Sequence, residues 1–475
     1  MDMSFLHPLM PVLILALGSL FLLLLGAYAR SALATAVAAG ILYAGTACWL
    51  RFFPATGSLF GLEDGTLMLV SPFTNIASLI LVKLGILCLP LLACAFSKRD
   101  HKPELYVLLT LSLTGMLVLM GATHMLSLYV GVELMSFPLY ILAAYARDDA
   151  KSSEAGLKYF VLGSLASGLM LFGISLLFAS LGSLSFIGIG RAIALSGGAA
   201  QPLAMAGMAL TLLGTLFKLS VVPLHMWTPD VYEGSPSPVT AIMGALPKIA
   251  GCVLLIRLLA QPFLPFIALW QPALMWLTIA TMIAGATLAI IQTSLKRLMA
   301  FSTVANVGFI MVGVVAATPL AHSGVLSYLT IYGFTFIGIF AVFIAMGDAH
   351  DVKDLSGLAA RSPLLAASFA VFMFSLAGIP PLAGFMAKFM VFGAAVQAGF
   401  SALALVGVLA SVIAAFYALW LVKTVYFDAP LTPEPIKTAP ALAVTIGIIA
   451  AATVLLGLFP SFLTSYTLAG AAAIF

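Results

Sequence analysis

Phe217-Lys-Leu-Ser-Val-Val-Pro-Leu-His-Met-Trp-Thr-Pro-Asp-Val-Tyr-Glu-Gly-Ser-Pro-Ser-Pro238 does two things that an apolar helix normally avoids. It carries a lysine, and it breaks. Lys218 follows sixteen uncharged residues, Pro202 to Phe217, and near mid-bilayer its ammonium costs roughly 2.5–3.5 kcal/mol on insertion scales. A charge kept there needs a partner or a purpose. Five residues later Pro223 lacks a backbone donor and clashes with the preceding turn. The carbonyls it frees can be satisfied inside a membrane only by protein or by water in a cavity.

The rest of the chain makes the bilayer the relevant solvent. Its 475 residues are 63% hydrophobic and 8% charged, with mean hydropathy +1.19, which is the composition of a polytopic membrane protein. Apolar windows of about 20 residues predict fourteen spans, at 8–28, 32–52, 72–96, 104–121, 125–146, 155–180, 202–228, 237–258, 272–292, 295–317, 323–347, 363–398, 402–426 and 439–460. The expected fold class is therefore all-α. The longest connections, around 53–71, 182–201, 348–362 and 428–438, leave no room for a soluble catalytic domain.

An even number of spans puts both termini on one side, and basic residues choose the side. With the termini outside, the inner connections hold Arg30, Lys98, Arg99, Lys102, Arg147, Lys151, Lys296, Arg297, Lys353, Arg361, Lys423 and Lys437, whereas the outer ones hold only Arg51, Arg191 and Arg257. Five lysines remain inside spans: Lys83, Lys158, Lys218, Lys248 and Lys388. Glu133 is the acidic residue deepest in a span. The net charge of +4 is loop bias, with no basic run that would bind nucleic acid. The first apolar stretch lacks a basic leader and reads as a retained helix. Cys48, Cys88, Cys94 and Cys252 fall in spans without CxxC spacing, which argues against an iron–sulfur or zinc site.

A second interruption, Leu376-Ala-Gly-Ile-Pro-Pro-Leu-Ala-Gly384, mirrors the first. Each is the fourth of five spans, and units of five enter the membrane from opposite sides. Paired Gly/Pro-interrupted segments in such inverted repeats point to a transport site. The expected organisation is a three-helix appendage (1–100), a first repeat (101–260), an inverted second repeat (261–428) and a capping helix (429–475).

Each buried charge then has a candidate task. Desolvation would penalise the Glu133 carboxylate unless a cation compensates, and Lys218 is the expected partner; separating the two would drive Lys218 to release its proton. Lys248, about ten residues into its span, is too deep to snorkel and fits a relay. Lys388, beside the second break, fits a terminal releasing group. Lys158 lies four residues after Glu154, so an exposed helical ion pair explains it as well as proton transfer does. His225 fits either a shuttle between Lys218 and Lys248 or a ligand for unwound carbonyls. His124 and His322 fall at span ends, and Tyr140, Ser220 and Thr303 could hold waters. Lys83, outside the repeats, suits an interface or packing role.

Lys218-Leu-Ser-Val-Val-Pro-Leu-His-Met-Trp-Thr-Pro-Asp-Val-Tyr-Glu-Gly-Ser-Pro236 resembles the signature of the subunit N family of proton-pumping NADH-quinone oxidoreductase, respiratory complex I. Leu128-Tyr-Val-Gly-Val-Glu-Leu-Met-Ser136, Glu154-Ala-Gly-Leu-Lys-Tyr159, Ser294-Leu-Lys-Arg-Leu-Met-Ala-Phe-Ser302 and Ser375-Leu-Ala-Gly-Ile-Pro-Pro-Leu-Ala-Gly-Phe-Met-Ala-Lys-Phe389 resemble its pattern in the same order. Subunits L and M and related cation/proton antiporters share much of it, and Thr228-Pro-Asp-Val-Tyr-Glu-Gly234 favours N. The resemblance implies a proton channel along Glu133, Lys218, Lys248 and Lys388, with Lys158 often included. It implies a bacterial cytoplasmic membrane, subunits M, K and J as neighbours, and NADH, FMN, iron–sulfur clusters and quinone on partner subunits, with no cofactor or metal here. Asn306 departs from the pattern, standing where many relatives have histidine. An Mrp-type antiporter subunit and a non-pumping spacer are the alternative readings.

Overall fold

The computed structural model describes residues 3–96, 102–195 and 202–473; Lys98 and Arg99 lie outside them. A 3-10 turn (Met3–Leu9) leads into α1 (Met10–Ala29), followed by α2 (Ala32–Phe52) and α3 (Pro72–Ala95). Next come α4 (Glu104–Gly121), α5 (Met125–Ala143), α6 (Ala150–Leu181), α7 (Phe186–Leu195), α8 (Pro202–Leu219), α9 (Trp227–Gly234) and α10 (Ser237–Ala260). The later half contains α11 (Ile267–Ile290), α12 (Leu295–Ala316), α13 (Pro319–Ala345), α14 (Leu358–Arg361), α15 (Pro363–Ala377), α16 (Ala383–Gln397) and α17 (Ser401–Phe427). α18 (Pro440–Leu458) and α19 (Ser461–Ala471) close the described chain.

Among the described residues, thirteen helices are long and apolar enough to cross a membrane. The split pair α15 and α16, of 15 residues each, accounts for the fourteenth expected span. Starts are set by side-chain oxygens at Ser31, Ser71, Asp149, Ser294 and Thr318, each accepting a first-turn N–H that the helix leaves free. The most apolar stretches of α10 and α12 are buried on all sides, so these two form the axis against which the others pack. Close approach depends on small residues. A Cβ on Gly115 of α4 would come within 2.3 Å of the Met135 nitrogen of α5, and one on Gly285 of α11 within 2.3 Å of the Ala305 nitrogen of α12.

Several expectations need correction. The connection around 53–71 holds an antiparallel hairpin, β1 (Gly57–Leu62) with β2 (Gly65–Val70), the one sheet among the described residues. The connection at 182–201 contains α7. Lys296 and Arg257, assigned to connections, are buried inside the helix packing at 4% and 0% exposure. Lys296 donates to Ser235 O (3.0 Å), and Arg257 donates to Met120 O (2.5 Å), where it meets the negative end of α4. Lys83 points out of the chain from α3, between buried Val82 and Leu84.

The hairpin is fastened by its turn. Asp64 accepts from Ser183 Oγ (2.7 Å), Leu184 N (2.7 Å) and Ser185 N (3.0 Å) at the entry to α7. Burial alone would raise its carboxyl, but these bonds and nearby His124 together hold it below the ordinary carboxylate value. A carboxyl depressed in the folded state contributes stability above its free value and loses it as pH falls through the folded one. Asp64→Asn should therefore open residues 57–70 and 186–195 to limited proteolysis at neutral pH; in the natural chain the same opening should appear only below the ordinary carboxylate range. At the second break, a Cβ on Gly384 would lie 1.7 Å from Ser375 O. Gly384→Ala should accordingly cost about 2 kcal/mol through overpacking, read as a lower thermal midpoint of the purified chain.

Candidate functional site

α8 ends in a Schellman motif, with Val221 N donating to Leu216 O (3.1 Å) and Ser220 N to Phe217 O (3.0 Å). Ser220 takes the left-handed conformation this requires, at φ 66°. α15 ends in the same way: Ile379 N donates to Phe374 O (3.0 Å), Gly378 N donates to Ser375 O (3.0 Å), and Gly378 has φ 87°. Each break contains a cis peptide bond before proline, Val222–Pro223 and Pro380–Pro381. The Schellman bonds leave other last-turn carbonyls over, and those face protein.

Lysines occupy these carbonyls. Lys248, fully buried on α10, donates through Nζ to Lys218 O (3.0 Å) and to Ser220 Oγ (2.8 Å). Lys388, buried on α16, donates to Ala377 O (2.9 Å) at the end of α15 and lies 4.8 Å from the Phe309 ring centre. In both places an ammonium meets the negative end of a helix dipole and satisfies a carbonyl that the break frees. Trp227, the first residue of α9, covers the first break: its Nε1 donates to Phe217 O (3.0 Å), and Lys248 Nζ lies 5.4 Å from its ring.

The expected contact between Lys218 and Glu133 is not formed. Lys218 Nζ donates instead to Tyr140 OH (2.8 Å). Side-chain length explains the substitution. Tyr140 lies two turns after Glu133 on the same face of α5, and the half-buried Glu133 stays close enough for its charge to act on Lys218 without bonding to it. Its Oε1 is buried without a hydrogen-bond partner. Tyr140 has the longer reach towards α8, and it also lines a groove of about 1130 Å³ between α4, α5 and α6, rimmed by Lys102, Arg147, Asp148 and Asp149.

The expected shuttle position of His225 is likewise taken by another group. Ser220 Oγ and the Lys218 backbone carbonyl, rather than His225, accept from Lys248, whereas His225 keeps Nδ1 unpaired and packs edge-on against Phe301 at 6.3 Å. Lys158 is not beside the buried lysines: 41% exposed, it pairs with Glu154 and Asp230, each at 2.8 Å. Asn306 has a ready partner in Tyr328, whose OH donates to Asn306 Oδ1 (2.9 Å), while Asn306 Nδ2 donates to Ser302 O (2.8 Å). Ser302 Oγ and Tyr417 OH are 2.9 Å apart, and Tyr332 OH donates to Thr303 Oγ1 (2.9 Å). These groups lie on α12, α13 and α17, and α12 and α13 touch both α10 and α16. A buried polar run thus occupies the region between Lys248 and Lys388.

Trp227, Asp230, Lys296, Arg297, Tyr328 and Tyr417 escaped the sequence reading. Trp227 and Asp230 stood inside the quoted stretch, but nothing in their spacing said which distant side chains they would meet. The tyrosines carried no signal, because nothing in an apolar helix says where a hydroxyl will point.

Comparison with known proteins places this geometry. The profile of the NADH:quinone oxidoreductase/Mrp antiporter transmembrane family matches residues 122–414. NADH-quinone oxidoreductase subunit N of Rhodospirillum rubrum is 40% identical over 479 aligned residues, covering 99% of this chain and 97% of that protein. Subunit N 1 of Acidiphilium cryptum is 41% identical, covering 99% of each. A chain of respiratory complex I from Thermus thermophilus with bound aureothin superposes with TM-score 0.82 at 28% identity, over 97% of this chain and 100% of that one. A chain of the Mrp complex from Dietzia sp. shares the fold, with TM-score 0.86 at 21% identity, over 99% of this chain and 97% of that one. The chain belongs to the NADH:quinone oxidoreductase/Mrp antiporter family of membrane proteins, within the subunit N group of NADH-quinone oxidoreductase.

Proposed function

We propose that this chain carries protons through the membrane arm of NADH-quinone oxidoreductase, along Lys218, Lys248 and Lys388, with quinone reduced elsewhere in the complex. The observation that carries the reading is the pair of breaks, each closed by a buried lysine on carbonyl or hydroxyl oxygen rather than on a carboxylate. Such a lysine can give up its proton without stranding an anion in the protein interior, which a buried ion pair cannot do. Protons would enter by the charged rim of the groove at Tyr140, pass Lys218, reach Lys248 across Ser220, and follow the tyrosine–asparagine run to Lys388. Glu133, half-buried on the Tyr140 face of α5, would tune the charge of Lys218 at the entrance. His225, with Nδ1 free, would serve as a side port to the first break. Lys158 receives a different task below.

The same reading puts the chain in the bacterial cytoplasmic membrane with both termini on the periplasmic side, and subunits M, K and J beside it. NADH, FMN, iron–sulfur clusters and quinone are assigned to partner subunits, with no redox centre here. The units 1–100, 101–260, 261–428 and 429–475 are its appendage, repeats and cap.

Copurification from the native membrane should recover the NADH-oxidising subunits; their absence would undo the assignment. In the reconstituted complex, Lys248→Met and Lys388→Met should each cut NADH-driven acidification roughly 10-fold or more, at the modest end of what a proton-transfer group contributes. NADH–ferricyanide oxidation, which needs no membrane arm, should stay normal. Tyr140→Phe, which removes the acceptor of one hydrogen bond, should cost a few-fold. Full pumping by Lys248→Met in an assembled complex would sink the proton route.

A further inference from the structure

α9 has only eight residues, too few to hold its own shape or place. Its position is set at both ends by contacts with other helices. At the close of its first turn Asp230 accepts from Lys158 Nζ of α6 and from Arg297 of α12, both at 2.8 Å, and in the second turn Glu233 accepts from Arg297 at 3.1 Å. In its first turn the Trp227 indole stacks on Tyr159, the neighbour of Lys158, at 4.7 Å and 9°. Thr228 Oγ1 donates to Ser220 Oγ (2.8 Å), the same oxygen that accepts from Lys248. One short rod therefore joins the charged cluster around Asp230 and Glu233 to the partners of Lys248 at its first two residues. Among the described residues Lys158 bonds to neither Lys218 nor Lys248, and it sits 41% exposed between two carboxylates.

We infer that Lys158 is a positioning residue and not a proton carrier: with Arg297 it grips Asp230, and so seats the short helix whose first turn fixes the partners of Lys248. The inference rests on the proton route proposed above and changes the role of one of its members. Asp230 becomes the shared point between the two halves, since its cations come from α6 in the first and α12 in the second.

Lysine and arginine separate the two roles, because a guanidinium can hold Asp230 but does not release a proton at working pH. In the reconstituted complex, Lys158→Met and Asp230→Asn should each lower NADH-driven acidification about 3-fold, the scale of losing partly exposed charge contacts. Their combination should lose no more than either alone, as for two ends of one contact. The pH optimum of acidification should move in Lys158→Met, because the surroundings of Lys248 change. Lys158→Arg should restore both rate, to within about 1.5-fold, and optimum. A Lys158→Arg complex that assembles but pumps no better than Lys158→Met overturns the inference, as does an additive loss in the double variant or a reduced rate with an unmoved optimum. If Lys158→Met does not assemble, Lys158→Arg and Asp230→Asn decide it by the same criteria. Lys248→Arg checks the underlying route separately: full acidification there removes the route itself, whatever the Lys158 variants show.

Discussion

A helix that stops inside protein leaves carbonyls pointing at nothing, and here two such ends are closed by ammonium groups. The Schellman bonds satisfy part of each last turn. Lys248 reaches back 30 residues to the Lys218 carbonyl, and Lys388 reaches back 11 to that of Ala377. Without these cations the breaks would expose bare acceptors in an apolar interior. Without the breaks the cations would have no partner at that depth. Each defect supplies what the other lacks, and this mutual dependence fixes where α10 and α16 must lie relative to α8 and α15.

The remaining polar groups follow from that constraint. Because α10 presents Lys248 inward, its most apolar stretch is buried all round, and α12 and α13 must fill the space towards α16. They do so with Tyr328, which donates to Asn306, and Tyr332, which donates to Thr303, and these bonds keep the filling polar. Lys218 is left to find an acceptor on α5, and Tyr140 provides it. Glu133 stays half-buried on the same face of α5, with Oε1 buried and without a hydrogen-bond partner.

The charged cluster at α9 works under different physics. Its members are partly exposed, so each contact is weak alone. Asp230 gathers two of them, and Glu233 shares Arg297, which makes a network from groups that would otherwise be ordinary rim charges. Its importance comes from what it holds rather than from its own energy.

Much of this was legible in the amino-acid order. Hydropathy windows anticipated the helices, and Pro223 and the Pro380-Pro381 pair marked both breaks, because a missing donor and a ring clash act locally. The cost of charge in a bilayer singled out Lys218, Lys248 and Lys388 for the same reason: it depends on depth along one helix. Partners were another matter. Lys218 met Tyr140 rather than Glu133, Ser220 took the place expected of His225, and Lys158 joined Asp230 because rotation about the helix axis and the fit between distant helices decide which side chains touch. Which residues are costly, and where the backbone must break, follow from the sequence alone; which oxygen each lysine holds was decided by tertiary packing, since hydrogen bonds act over about 3 Å between groups that the chain separates by dozens of residues.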